Sequence, residues 1–289
     1  MISLPEFYGR LGNHLFQYAY VRSTARRLGT SFYCPPWDGQ TIFKLGDENE
    51  RAEAPSGIVH HFDPSPQAGF VPEAMQVGDH TEVRGFYQSE KYYPDKAAVR
   101  QWYTFNDEIT AEVQSRYAHV PLEDCPSLSL RIDDDYGDSR VYFPLYPLSY
   151  YEKALSVVDA RGPVVVFADR PDRAKEFFRP LASKRELIFV TDLKGPQQLY
   201  LMTQCRANII TNSTFAWWGA WLNAHPQRTI VAPSAWCRPG IPLPIHDILP
   251  DDWVKIRGTV PLWDHFQTWR LRHPGPSINK LIAKVTKRR

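Results

Sequence analysis

A chain of 289 residues, 43% apolar and 23% charged, is long enough to bury a large core in one or two domains. A net charge of +2, with no basic stripe interleaved with aromatics, excludes a global polyanion binder, and no nucleic-acid partner is expected. Cys34, Cys125, Cys205 and Cys237 lie far apart and form no CxxC or Cys/His spacing, so neither a structural zinc site nor a disulfide scaffold is expected.

Residues 2–7 read as a short first strand, and Gly9-Arg10-Leu11-Gly12-Asn13 as a turn. Residues 14–28 read as a helix closed by Gly29, and residues 31–34 as a second strand. A strand, a glycine-bearing turn and a helix make a nucleotide-fold opening. The start lacks the basic region and apolar core of a signal peptide, and no apolar run of about 18 residues occurs, so a cytoplasmic protein is expected. Residues 35–80, rich in Pro, Asp, Gly and His, read as loops and short elements. Residues 83–87 read as a strand, 88–93 as a helix start, and the stretch to Tyr117 as mostly helical. Residues 121–126 read as a boundary, dividing the chain into an N-terminal half, 1–125, and a C-terminal half, 126–289.

The second half is more regular. Apolar runs at 127–132, 164–168, 187–191, 207–210 and 229–232 alternate with helical segments at 149–158, 172–178 and 197–205. That alternation predicts an α/β fold with a parallel doubly wound sheet, whose ligands sit beyond the carboxyl ends of the strands. Arg131, Asp133, Asp134, Asp135, Asp169, Asp192 and Ser213 all fall at such ends. Between Thr211 and Asn223 a strand passes through Thr211-Asn212-Ser213-Thr214 into a bulky apolar helix. A helix start of this kind gathers backbone N–H groups and hydroxyls where the helix dipole favours an anion, and it is equally an ordinary capped core helix. Nine Trp and fifteen Tyr are a rich complement, which serves core packing or the lining of sugar clefts. Trp217, Trp218 and Trp221 are read as packing their helix onto the sheet. The tail from Ser277 to Arg289 is a basic amphipathic segment, read either as a final helix packed on the body or as a contact with an anionic membrane surface.

Three motifs together resemble one family. GRLGNHLFQYA, Gly9 to Ala19, is similar to the N-terminal signature of bacterial alpha-1,2-fucosyltransferases, glycosyltransferase family eleven. GFYQSEKYY, Gly85 to Tyr93, and TNSTFAWWGAWLN, Thr211 to Asn223, resemble that family's later segments, in the same order and spacing. A fourth motif departs: where the family carries His-x-Arg-Arg-x-Asp, this chain has SLRIDD, with Ser129 and Ile132 replacing the histidine and the second arginine. Gln198 stands where the family tends to place a carboxylate.

The resemblance implies a GT-B arrangement, two Rossmann-like halves with parallel sheets facing a central cleft. The N-terminal half would take the acceptor and the C-terminal half the nucleotide-sugar donor. It further implies inverting, metal-independent transfer of L-fucose from GDP-fucose onto a glycan acceptor, in alpha-1,2 linkage to a galactoside such as lactose, with no cofactor besides the donor. Gly9, Gly12, Asn13, His14, Arg131, Asp169, Asn212, Ser213, Thr214 and Phe215 are the expected donor-binding residues. Arg131 with Asp133, Asp134 and Asp135 form the catalytic candidates, and Gln88, Glu90 and Lys91 the acceptor-side ones. The leaving diphosphate gains negative charge, so fixed positive potential beside it is the protein's main contribution; a planar, always-charged arginine and helix N-termini supply it. Three readings stay open for Asp133 to Asp135: a general base for the acceptor hydroxyl, the metal-binding Asp-x-Asp of a GT-A enzyme, or a solvated acidic loop. Glu90 and Lys91 are also read as a brace between the halves or as a surface ion pair at a helix start, and Asp169 and Asp192 either as contacts to ribose or base or as helix caps. A binding protein that kept the fold without turnover is the remaining alternative.

Overall fold

The computed structural model describes residues 1–46, 49–65, 68–132, 143–238, 245 and 247–258. Asp133, Asp134, Asp135 and the basic tail lie outside the described residues.

Two parallel sheets divide the chain between them. The first contains β1 (Ile2–Ser3), β2 (Phe32–Tyr33), β3 (Glu50–Arg51), β4 (His60–Phe62) and β5 (Thr81–Val83), in the order β3-β2-β1-β5-β4. The second contains β6 (Pro126–Leu130), β7 (Val164–Ala168), β8 (Leu187–Phe189), β9 (Ala207–Ile209), β10 (Thr229–Pro233) and β11 (Val254–Ile256), in the order β11-β10-β9-β6-β7-β8. All pairings in both sheets are parallel. β6 is buried at all five positions, and its neighbours β7 and β9 have no exposed residue, which is why this half reads as continuous apolar runs rather than alternation.

Among the described residues the α-helices are α1 (Leu11–Leu28), α2 (Gly39–Ile42), α3 (Lys96–Trp102), α4 (Asp107–Tyr117), α5 (Leu148–Val157), α6 (Pro171–Phe177), α7 (Arg179–Ala182), α8 (Gly195–Thr203) and α9 (Thr214–Trp221). α1 starts three residues earlier than its apolar pattern suggests, so Gly12 and Asn13 lie within its first turn rather than in a free turn. It ends as read, with Gly29 in the left-handed conformation where the chain leaves the helix.

Several expectations need correction. β3 and β4 fall in the stretch read as loops. They are two and three residues long, mostly polar, and occupy the edges of the first sheet, so they lack the apolar alternation that marks a strand. The strand expected at 83–87 is β5, ending at Val83; beyond it Gly85 has φ +135 and Tyr87 has φ +51, and the chain turns out of the sheet. Residues 90–92 form only a 3-10 turn before α3. β11 is an added edge strand with two exposed positions. Asp192 is no helix cap: α8 has Lys194 at its cap position, and Asp192 accepts the Tyr117 hydroxyl at 2.8 Å.

One apolar core runs through both halves, from Ile2 through Trp218 to Trp253, and a second covers the other face of the second sheet around Leu128, Tyr151 and Phe178. The three tryptophans of α9 explain the continuity. Trp217 and Trp218 touch Phe16 of α1 at ring separations of 4.5 and 4.9 Å, and Trp221 meets Tyr93 at 5.6 Å. They therefore pack half against half, not simply helix against sheet. Each indole N–H also finds an acceptor: Ile248 O at 2.6 Å, Gly12 O at 2.9 Å and Glu90 Oε2 at 2.9 Å respectively. Burying those donors without acceptors would cost about 1–3 kcal/mol each, so the carbonyls and carboxylate fix where the tryptophans sit.

Candidate functional site

A cleft of about 950 Å³ is lined by both halves. Its first wall comes from the start of α1 with Asp38, Thr41, Ile42 and Gln88; its second from the carboxyl ends of β6, β7 and β9 with the starts of α8 and α9. This is where ligands sit against open parallel sheets.

The two walls touch at one seam. A Cβ on Gly12 would lie 2.5 Å from Phe215 N and 2.7 Å from Thr214 Oγ1, so only glycine permits this approach. The amino ends of α1 and α9 therefore meet. The Leu11 and Gly12 N–H groups and those of Thr214 and Phe215 are first-turn donors with no intrahelical acceptor. Ser213 caps α9 by accepting the Ala216 N–H at 3.4 Å. Neither first turn carries Asp or Glu, so no carboxylate competes for the positive ends of the dipoles. Arg131, at the carboxyl end of β6, lines the same cleft.

Around the seam the polar side chains hold backbone in place. Asn13 Oδ1 accepts Gln88 Nε2 at 2.8 Å, and Asn13 O accepts Gln17 Nε2 at 3.1 Å. Gly9 has φ +85, and the Asn13 side chain occupies the space a Cβ would need. Asn212 is buried and donates from Nδ2 to Pro144 O at 3.0 Å, which leaves its Oδ1 toward other donors. Ser129 accepts the Thr211 N–H at 3.3 Å and so joins the ends of β6 and β9. His14 lies against Phe7 at 4.9 Å and donates from Nε2 to Gly9 O at 3.2 Å; burial lowers its pKa, so the ring is neutral at pH 7. Gln198 donates to Leu193 O at 2.9 Å from the base of α8, on the second wall of the cleft.

Asp169 does not cap α6, whose cap residue is Arg170. Its Oδ1 accepts the Ile132 N–H at 2.9 Å, gripping the residue that follows Arg131. An amide oxygen can make the same bond. Asp169→Asn is thus expected to keep turnover within a fewfold, while Asp169→Ala frees the loop and lowers it about tenfold or more, since a small displacement of a positioned group carries such a cost. Steady-state kinetics of the two variants test this; equal losses in both would assign Asp169 a charge-dependent contact with the ligand instead.

Of the acceptor-side candidates, Gln88 lines the cleft while Glu90 and Lys91 do not. Glu90 accepts Trp221 Nε1 and pairs with Lys96 at 2.5 Å, and Lys91 pairs with Asp247 at 2.7 Å. Both tie the 88–93 segment to the second half, as the bracing reading has it, and they do not pair with each other. Cleft residues without a motif to mark them include Asp38, Thr41, Phe167 and Trp236. They come from short loops and strand ends whose convergence depends on the fold, and only the strand-end rule offered a signal, for Phe167.

An O-antigen biosynthesis glycosyltransferase, WbnK of Escherichia coli, is 35% identical over 130 residues, 42% of this chain and 42% of that protein. An alpha-1,2-colitosyltransferase of Escherichia coli is 24% identical over 290 residues, 88% of this chain and 99% of that protein. Among solved structures, the NodZ alpha-1,6-fucosyltransferase soaked with GDP-fucose shares the fold with a TM-score of 0.51 at 13% identity, over 76% of this chain and 92% of that one. The sequence model for glycosyl transferase family 11 matches residues 77–257, a span that includes β5, the Gln88 segment and the whole of Thr211–Asn223. The chain belongs to glycosyl transferase family 11.

Proposed function

We propose that this protein is an inverting, metal-independent glycosyltransferase that moves L-fucose from GDP-fucose onto a glycan acceptor, in alpha-1,2 linkage, during surface polysaccharide synthesis. The observation that carries the reading is the seam itself: two helix amino ends and Arg131 converge on one cleft between two parallel-sheet halves. A nucleoside diphosphate leaving with its charge growing fits that concentration of fixed positive potential. The names of the relatives support a polysaccharide acceptor and an alpha-1,2 bond.

A second reading keeps the reaction and changes the sugar. The relative aligned along nearly its whole length is a colitosyltransferase, and Ser129 and Gln198 depart from the fucosyltransferase pattern. GDP-colitose is therefore the alternative donor.

Thermal shift with GDP, UDP, CDP and ADP tests the nucleotide. GDP at about 100 times its dissociation constant is expected to stabilise the fold by about 2.7 kcal/mol. No response to GDP beside a clear response to UDP or CDP overturns the proposed donor class. Product formation from GDP-fucose or GDP-colitose with lactose as acceptor then separates the two sugars, and turnover that EDTA abolishes and Mn²⁺ restores would contradict metal independence.

A further inference from the structure

We infer that Asp38 is the catalytic residue that takes the proton from the acceptor hydroxyl, an inference that rests on the glycosyl-transfer reading above. Among the described residues, the carboxylates lining the cleft are Asp38 and Asp169. Asp169 belongs to the donor wall, where it grips the backbone beside Arg131. Asp38 belongs to the opposite wall, in the half expected to take the acceptor. It occupies the cap position of α2, where a side-chain cap would be its ordinary use, yet its carboxylate makes no such bond and has no ion-pair partner among the described residues.

The support beneath it is rigid. Trp37 is buried and packs on Phe7 at 5.2 Å and on Tyr18 at 5.0 Å. Gly39 is also buried, and its missing side chain makes room for the Trp37 ring. Asp38 is thus an exposed carboxylate held between two anchored neighbours. Among the described residues, the charged and titratable groups sharing the cleft are Arg10 and His14 from the start of α1, with Arg131 and Asp169 on the far wall. His14 lies near enough to feel the Asp38 charge, yet with its Nε2 proton directed to Gly9 O and its ring neutral it leaves the carboxylate unpaired. A carboxylate with no ion-pair partner among the described residues, on a fixed mount in the cleft that Arg131 and the seam also line, is placed to serve as the base of an inverting displacement.

In the step, the acceptor oxygen bonds to the anomeric carbon as the bond from that carbon to the diphosphate breaks. The electron pair of the broken bond leaves with the diphosphate, and the acceptor's proton passes to a carboxylate oxygen of Asp38.

The test uses the full chain, lactose, and whichever GDP-sugar of the pair above the wild-type protein turns over. Asp38→Asn is expected to lower kcat by about 10²–10⁴-fold, the usual contribution of a general base, with GDP affinity and thermal midpoint unchanged. Asp38→Ala is expected to lose as much and to recover part of it in formate, whose carboxylate takes the vacated place. Turnover of Asp38→Asn within threefold of wild type overturns the assignment. So does a formate-rescued loss in Asp133→Ala, Asp134→Ala or Asp135→Ala while Asp38→Ala stays active. A wild-type protein that neither transfers nor hydrolyses either GDP-sugar sinks the glycosyl-transfer reading, and Asp38 with it; wild-type transfer beside an active Asp38→Asn sinks Asp38 alone.

Discussion

Arg131→Ala is expected to lower turnover by about 10³-fold or more while the protein stays folded. Single donors aimed at a developing oxyanion contribute about 10²–10³ in rate, and arginines facing a phosphoryl group reach 10³–10⁵. Arg131 follows the last residue of β6, a strand buried at every position, so its backbone is fixed by the sheet. Its own side chain is only half-buried and lies outside both apolar cores, so truncation leaves the packing in place. Arg131→Lys keeps the charge but loses the planar fork that engages two phosphate oxygens together, and is expected to recover only a minor part of the loss. The measurements are kcat with GDP-sugar and lactose, GDP affinity by calorimetry, and the thermal midpoint. Near-normal turnover in Arg131→Ala would remove the residue from the reaction, and a collapsed midpoint would make its role structural.

The second half of the fold was legible in the sequence because its central strands, β6, β7 and β9, are buried on both faces. Val164–Ala168 is five consecutive apolar residues, and the strand has those bounds. The edges of the first sheet were not legible: Glu50–Arg51 and His60–Phe62 are held by their neighbours' backbone, which leaves no mark in side-chain hydropathy. The site divides along the same line. Gly12, Ser213 and Thr214 could be read because helix starts have a local chemistry of caps and glycines. Asp38 could not, because nothing within its own segment distinguishes a cleft carboxylate from a surface one; it acquires meaning only when α2 is set opposite β6. Glu90 and Lys91 mark the reverse limit. Their motif was recognisable, but whether a charged pair reaches into a cleft or across a seam depends on where Trp221 and Asp247 arrive from more than a hundred residues away.

Gly12→Ala is expected to damage stability and ligand binding together, unlike Arg131→Ala. The added methyl would stand 2.5 Å from Phe215 N and 2.6 Å from Thr214 C, both backbone atoms of the first turn of α9. No rotamer change relieves such a clash, so α1 or α9 must move. α9 is locked by three buried tryptophans whose indoles are all hydrogen-bonded, and α1 by Leu15, Phe16, Tyr18 and Ala19, each fully buried. Overpacking of this kind costs about 1–3 kcal/mol. The displacement also acts on Gly12 O, the acceptor of Trp218 Nε1, and weakening that buried bond adds to the loss. Spreading the two helix ends separates the N–H groups that converge on the anion, so GDP affinity should fall in parallel with the thermal midpoint. The glycine at the other end of α1 supplies the control. Gly29→Ala adds a methyl with nothing within 4 Å, at φ +62, and should cost stability through backbone strain alone, leaving GDP affinity intact. Equal GDP affinities in wild type and Gly12→Ala would show that the seam is a packing contact and not the anion site.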